Sequence, residues 1–212
     1  MNRPIRLAVL LSAGGTTLQN LLDRINSEKL RAEVVAVVSN VPDAFGLERA
    51  RRAGIVAHIV DRRNCGSREE FSGRIFEPCR AAGADLVCMG GFLQLVAIPT
   101  DFTHRVMNIH PSLIPAFCGK GFYGERVHEA ALAMGVKVSG CTVHFADNEY
   151  DHGPIIVQRT VEVRVEDTVE TLFDRVFVQE CEAYPEAIRL FAEGRLRVEG
   201  RRVRVLPAPV TD

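Results

Sequence analysis

Apolar runs too short to be helices alternate with stretches of helical period through the first half of the chain. That alternation restricts the possible folds more than any other feature. Residues 6–11 (RLAVLL) read as a buried strand. The turn Ser12-Ala13-Gly14-Gly15-Thr16-Thr17 follows, and then Leu18, Leu21, Leu22 and Ile25 recur at helical spacing. Residues 34–39 read as a second strand, followed by a helix with Leu47 and Ala50 inward, and 56–60 as a third strand. A helix over 68–82 ends at Gly83, and 86–89 is a short buried strand stopped by Gly90-Gly91. Strands alternating with helices predict an α/β fold with a doubly wound, mostly parallel sheet and helices on both faces. Such sheets bind ligands beyond the carboxyl ends of their strands, near a switch in strand order.

The second half continues the pattern. Residues 106–109 form an apolar strand, 111–124 a Gly- and Pro-rich loop, and 127–134 a helix. Strands at 140–146 and 155–163, joined by a polar loop, predict an antiparallel pair within a mixed sheet. A long helix covers 167–193, with Tyr184-Pro185 a possible kink, and 195–206 reads as a C-terminal hairpin turning at Glu199-Gly200. The tail 207–212 is expected to fray. No linker or repeat interrupts this, so residues 1–212 are read as one domain.

A formal net charge of -1 argues against a polyanion partner, so no nucleic acid is expected. No apolar run approaches the roughly 20 residues of a membrane span, and residues 1–4 are too short and polar for a signal peptide. The expectation is a cytoplasmic protein. Its six cysteines form no C-x-x-C pair and are read as reduced thiols, with Cys79, Cys88 and Cys141 in apolar or strand-like surroundings.

Two places carry chemistry. The Gly14-Gly15-Thr16-Thr17 turn opens a helix, where outward N–H groups and the helix dipole suit an anion. It lacks the lysine of a nucleotide P-loop and the third glycine of a dinucleotide fingerprint. In Asn108-Ile109-His110-Pro111, alternate strand residues share a face, so an amide and an imidazole point together. The amide can hold a carbonyl oxygen, and the imidazole can move a proton near neutral pH. Asp151, in the turn Asp151-His152-Gly153-Pro154, completes the set if the fold brings it near; beside His110 it would favour the imidazolium and raise its pKa. The remaining histidines attract less interest. His58 and His144 lie within strands, His128 on a helix, His104 before a strand, and His152 in the turn of Asp151. None has a second His or Cys at ligand spacing, so no metal is expected.

Several stretches together resemble the folate-dependent formyltransferases, and among them those acting on glycinamide ribonucleotide. They are Asn108-Ile109-His110-Pro111-Ser112-Leu113-Ile114-Pro115, Ser139-Gly140-Cys141-Thr142-Val143-His144-Phe145 and Asp151-His152-Gly153-Pro154-Ile155-Ile156. Ser39-Asn40, the run from Asp43 to Ala50, Gln179-Glu180 and Tyr184-Pro185 extend the likeness over about residues 5–197. The resemblance implies transfer of the formyl group of N10-formyltetrahydrofolate, a co-substrate, to the amine of glycinamide ribonucleotide in purine biosynthesis. It implies catalysis by Asn108, His110 and Asp151. Gly15, Thr16 and Thr17 would hold the phosphate, and Glu180 the ribose hydroxyls. Arg68, Leu93, Gln94, Leu95, Val96 and Asn108 would line the folate site, and the 147–151 loop would bracket the pterin. The partners implied are these small molecules, with the chain a monomer or homodimer. Thr16-Thr17 replaces the family's frequent Ser-Asn, Gln94 its usual arginine, and the 118–125 loop its shorter, often His-containing one. Two other readings stand beside it: a formyltransferase acting on another amine such as an amino sugar, and a non-catalytic phosphometabolite-binding protein.

Overall fold

A computed structural model describes residues 3–208, and the last four positions of the tail expected to fray lie outside them. The chain divides into two compact units: residues 4–108 with 146–150, and residues 109–145 with 151 onward.

In the first unit, β1 (Ile5–Leu11), α1 (Thr16–Asn26), β2 (Ala32–Ser39), α2 (Phe45–Arg52), β3 (Ala57–Ile59), α3 (Arg68–Ala81) and β4 (Leu86–Met89) follow one another. The strand β5 (Val106–His110) begins here, and the boundary falls after Asn108. The strands lie in the order β3-β2-β1-β4-β5, all parallel, with Met89 beside Asn108. β1 and β4 are buried almost throughout, which is why they read as unbroken apolar runs rather than alternating ones. Edge strand β3 is mostly exposed, including Ile59. Beneath α3, Phe71, Ile75 and Phe76 pack with Val87, Val96, Phe102 and Val106 into one core.

The order places a switch between β1 and β4, because the chain leaves β1 toward β2 and returns on the other side. That is where a doubly wound sheet opens a crevice. The turn after β1 and the segment after β4 meet there: Ser12 N–H donates to the Gly91 carbonyl, and Leu93 N–H donates to Ser12 Oγ at 2.9 Å.

The second unit holds α4 (Glu125–Met134), β6 (Val138–Phe145), β7 (Ile155–Glu162), α5 (Val169–Ala192), β8 (Leu196–Glu199) and β9 (Arg202–Val205). β6 and β7 are antiparallel, as the sequence predicts, and the order runs β6-β7-β9-β8 with the C-terminal hairpin antiparallel. Helix α5 packs on β6 and β7 through Leu172, Val176, Ala183, Tyr184, Ala187 and Ile188. It starts in a capping box, Thr168 Oγ1 accepting from Thr171 N–H and Thr171 Oγ1 from Thr168 N–H. The helix runs unbroken through Pro185. Tertiary burial of this face outweighs the one hydrogen bond that a proline removes.

Candidate functional site

In the first unit the glycine turn does two jobs. Gly15, the residue before α1, is left-handed at φ 69°, and a Cβ there would meet Gly46 Cα at 2.7 Å. Gly46 in turn lies on Leu11, where a Cβ would reach 2.5 Å from Cδ2. The two glycines let α2 press against the start of α1; Gly46 and Ala50 are the buried residues of α2, Ala50 as the sequence predicts, while Leu47 is only half-buried. Arg49 ties the same corner: its Nε donates to the Gly14 carbonyl and its Nη1 to Gln19 Oε1, both at 2.8 Å. No side chain caps α1, and its first turn carries no acidic residue. Thr16 is exposed and Thr17 half-buried, so the N-terminal amides of α1 open outward beside two hydroxyls.

The segment after β4 is irregular. Leu93 is exposed, Gln94 and Leu95 are half-buried, and Val96 sits in the core. The Val96 side chain therefore belongs to the core of this unit. Ser72 holds this stretch to α3, donating to the Arg68 carbonyl and accepting from Ala97 N–H at 2.8 Å. Arg68 opens α3 behind the Ser67 cap, its side chain partly exposed and 3.9 Å from Glu69. Asn148, in the 146–150 loop, accepts from Ile98 N–H. Asn108 is half-buried near the end of β5.

In the second unit His110 and Asp151 come together, which the sequence left conditional. His110 Nδ1 lies 3.5 Å from Asp151 Oδ2, with both side chains nearly buried. Asp151 adopts a left-handed backbone at φ 51°, a conformation that aspartate tolerates better than most residues. A short turn grips both groups. The Phe117 carbonyl takes a hydrogen bond from His110 Nε2 at 2.9 Å, and Gly119 N–H donates to Asp151 Oδ2 at 2.9 Å. A carbonyl only accepts, so Nε2 carries a hydrogen.

Asp151 has a second histidine. His144 Nε2 stands 3.7 Å from Oδ1, and His144 Nδ1 donates to the Phe145 carbonyl at 2.9 Å. Burial pushes the Asp151 carboxyl up, but the contacts with His144, His110 and Gly119 N–H outweigh it and hold the group below its usual range. For His110 the balance goes the other way from the sequence expectation. Burial pulls its pKa down, Asp151 opposes this, and the net shift is downward. The fold encloses the imidazole more than a strand-end position implies. The carboxylate is held toward its ionised form, and His110 takes its second proton less readily than an exposed histidine does.

Glu180 on α5 is half-buried, and burial pushes its carboxyl up to about 7. The turn of Asp151 is gripped from outside by Arg201 at the tip of the β8–β9 hairpin, which donates to the His152 ring at 2.6 Å and to its carbonyl at 2.8 Å. Sequence reasoning missed His144, Phe117, Gly119 and Arg201. His144 read as an ordinary strand histidine, although its place at the end of β6, just before the loop that returns Asp151, was a usable signal. The other three act through backbone or over a long chain separation, which side-chain chemistry does not advertise.

The formyl transferase family model matches residues 5–188. The chain is 37% identical over 92% of its length to the phosphoribosylglycinamide formyltransferase of Escherichia coli, covering 90% of that protein. It is 39% identical over 92% of its length to the trifunctional purine biosynthetic protein adenosine-3 of Gallus gallus, of which it spans only 19%. The solved glycinamide ribonucleotide transformylase 1 of Symbiobacterium toebii superposes with a TM-score of 0.90 at 49% identity, covering 98% of this chain and 96% of that one.

Proposed function

We propose, from the premise that this chain belongs to the formyl transferase family, that it moves the formyl group of N10-formyltetrahydrofolate to the amine of glycinamide ribonucleotide in purine biosynthesis. The observation that carries this reading is the His110–Asp151 pair, 3.5 Å apart and nearly buried, at the strand end that also bears Asn108. The family likeness alone would fit a protein that had lost its chemistry; an intact acid–base pair favours one that retains it.

The amine attacks the formyl carbon, and negative charge grows on the formyl oxygen. The Asn108 amide donates to that oxygen. In the ground state burial keeps His110 short of a second proton. The developing charge and Asp151 together offset that penalty, so the imidazolium is favoured most where it is needed. With Nδ1–H held on Asp151, His110 then gives up its Nε2–H contact with the Phe117 carbonyl and delivers that proton to the departing folate nitrogen, and the proton lost by the amine balances it. The uncapped start of α1, with Gly15, Thr16 and Thr17, takes the substrate phosphate. A Glu180 carboxyl titrating near neutrality both donates and accepts, which suits a ribose diol. Arg68, Leu93, Gln94, Leu95 and the Val96 backbone receive the folate, with Asn108 at its reacting end.

The test is to incubate purified protein with N10-formyltetrahydrofolate and a panel of amines, glycinamide ribonucleotide and amino-sugar nucleotides among them, and to follow release of tetrahydrofolate. Turnover with glycinamide ribonucleotide, reduced about 100- to 1000-fold in both Asn108→Ala and His110→Ala, is the expected outcome. Near-wild-type turnover in both variants would sink the catalytic assignment. Preference for an amino sugar would overturn the acceptor, and folate binding without turnover would favour the non-catalytic reading.

A further inference from the structure

The Asp151 carboxylate faces two histidines, one on each oxygen, and both present a nitrogen without a hydrogen in their neutral forms. Nε2 of His110 spends its hydrogen on the Phe117 carbonyl, leaving Nδ1 bare toward Oδ2. Nδ1 of His144 spends its hydrogen on the Phe145 carbonyl, leaving Nε2 bare toward Oδ1. A bare ring nitrogen against an ionised carboxylate sets lone pair against lone pair. Each contact becomes attractive only when that histidine takes a second proton. Two imidazolium rings around one carboxylate repel each other, and His144 indeed pulls His110 down. One added proton therefore satisfies one contact and makes the other harder to satisfy.

From this geometry we propose that His144 is a positioning residue for Asp151 and the second seat of a proton shared with His110. With the proton on His144, Oδ1 is anchored and Oδ2 stays aimed at His110 Nδ1. With the proton on His110, the same carboxylate steadies the acid of the reaction. The other titratable groups around the cluster do not compete. Burial and Asp151 push the Cys118 thiol up, and burial pulls His128 down to about 4. The contact of Gly119 N–H with Oδ2 is independent of pH. Beyond β6, the paired residue Ile155 on β7 is apolar. The proton-sharing is a property of the folded protein. Only its catalytic consequence rests on the function proposed above.

The experiment is a histidine ring titration by NMR on the whole protein, run over roughly pH 5 to 9, where histidines change charge. In the wild type the His110 and His144 curves should each bend at the other's midpoint. In His144→Asn the His110 midpoint should rise by about half a unit or more, a roughly threefold change in proton affinity, because a competing cation is gone and Asp151 serves one ring. Turnover should fall about tenfold with both KM values unchanged, as expected when only the aim of a catalytic group is lost. Two independent single-step curves in the wild type would overturn the proposal, as would an unmoved or lowered His110 midpoint in the variant. Should the variant not fold, the wild-type curves decide alone. Coupled curves in a protein without formyl transfer would leave the shared proton standing and remove the proposed function instead.

Discussion

At the scale of single residues, side-chain identity and local backbone act together. Asp151 reaches His110 because a turn places it in a left-handed conformation, and it stays ionised because two rings and an amide outweigh its burial. Asp151→Asn should keep the shape and lose the charge. The His110 midpoint is then expected to fall further, since the larger of the two influences raising it is removed and only the Phe117 carbonyl remains, and turnover to drop about 100-fold or more. A histidine titration beside steady-state kinetics checks both, and an unchanged midpoint would contradict the pairing. Gly15 is the opposite case, a residue needed for what it lacks. In Gly15→Ala a methyl would press on Gly46 Cα at 2.7 Å from a left-handed backbone, and a loss of at least about 1 kcal/mol is expected by denaturant titration. An unaltered midpoint would mean that α2 moves aside without cost.

At the scale of elements, α4 holds a group that its helical period does not predict. His128 is fully buried, neither ring nitrogen has a hydrogen-bond partner among the described residues, and the ring sits edge-on to Phe173 at 5.6 Å. Burial lowers its pKa to about 4. Unfolded, it would titrate near 6.5, so between those values the unfolded chain binds more protons than the folded one. Stability is therefore full above about pH 6.5 and is lost as pH falls toward 4, by up to about 3 kcal/mol. His128→Leu, apolar and of similar reach, should be at least as stable at neutral pH and should flatten that part of the stability curve. Thermal melts at a series of pH values would show it; an acid limb as steep as wild type would place the sensitivity elsewhere. The elements also show where local signals stop. The boundaries of α4 and β6 lie two residues earlier than the apolar pattern indicates, at Glu125 and Val138, because polar and exposed residues join an element once its neighbours supply hydrogen bonds.

At the scale of the whole molecule, stability rests on the two units' cores. In the first, Phe71, Ile75 and Phe76 of α3 are fully buried on the sheet. Phe76→Ala is expected to cost about 3–5 kcal/mol through lost burial and a cavity, lowering Tm by roughly 10 °C while the folded fraction keeps its activity. Loss of activity without loss of Tm would tie Phe76 to the site instead. The alternation of strands and helices, the glycine turn, the antiparallel β6–β7 pair and the terminal hairpin were all legible in the sequence, because periodicity and turn chemistry are local and each run of residues carries its own signal. Asn108 and His110 were legible as a pair for the same reason, being alternate residues of one strand. The motifs also carried the family likeness along the chain. Only tertiary structure decided that Asp151 meets His110 and that His144 shares it. It also decided that Val96 turns into the core, and that enclosure lowers the pKa of His110 where a neighbouring aspartate alone would raise it. Those outcomes depend on contacts between residues far apart in the chain and on exclusion of water, and neither is written into any short stretch of residues.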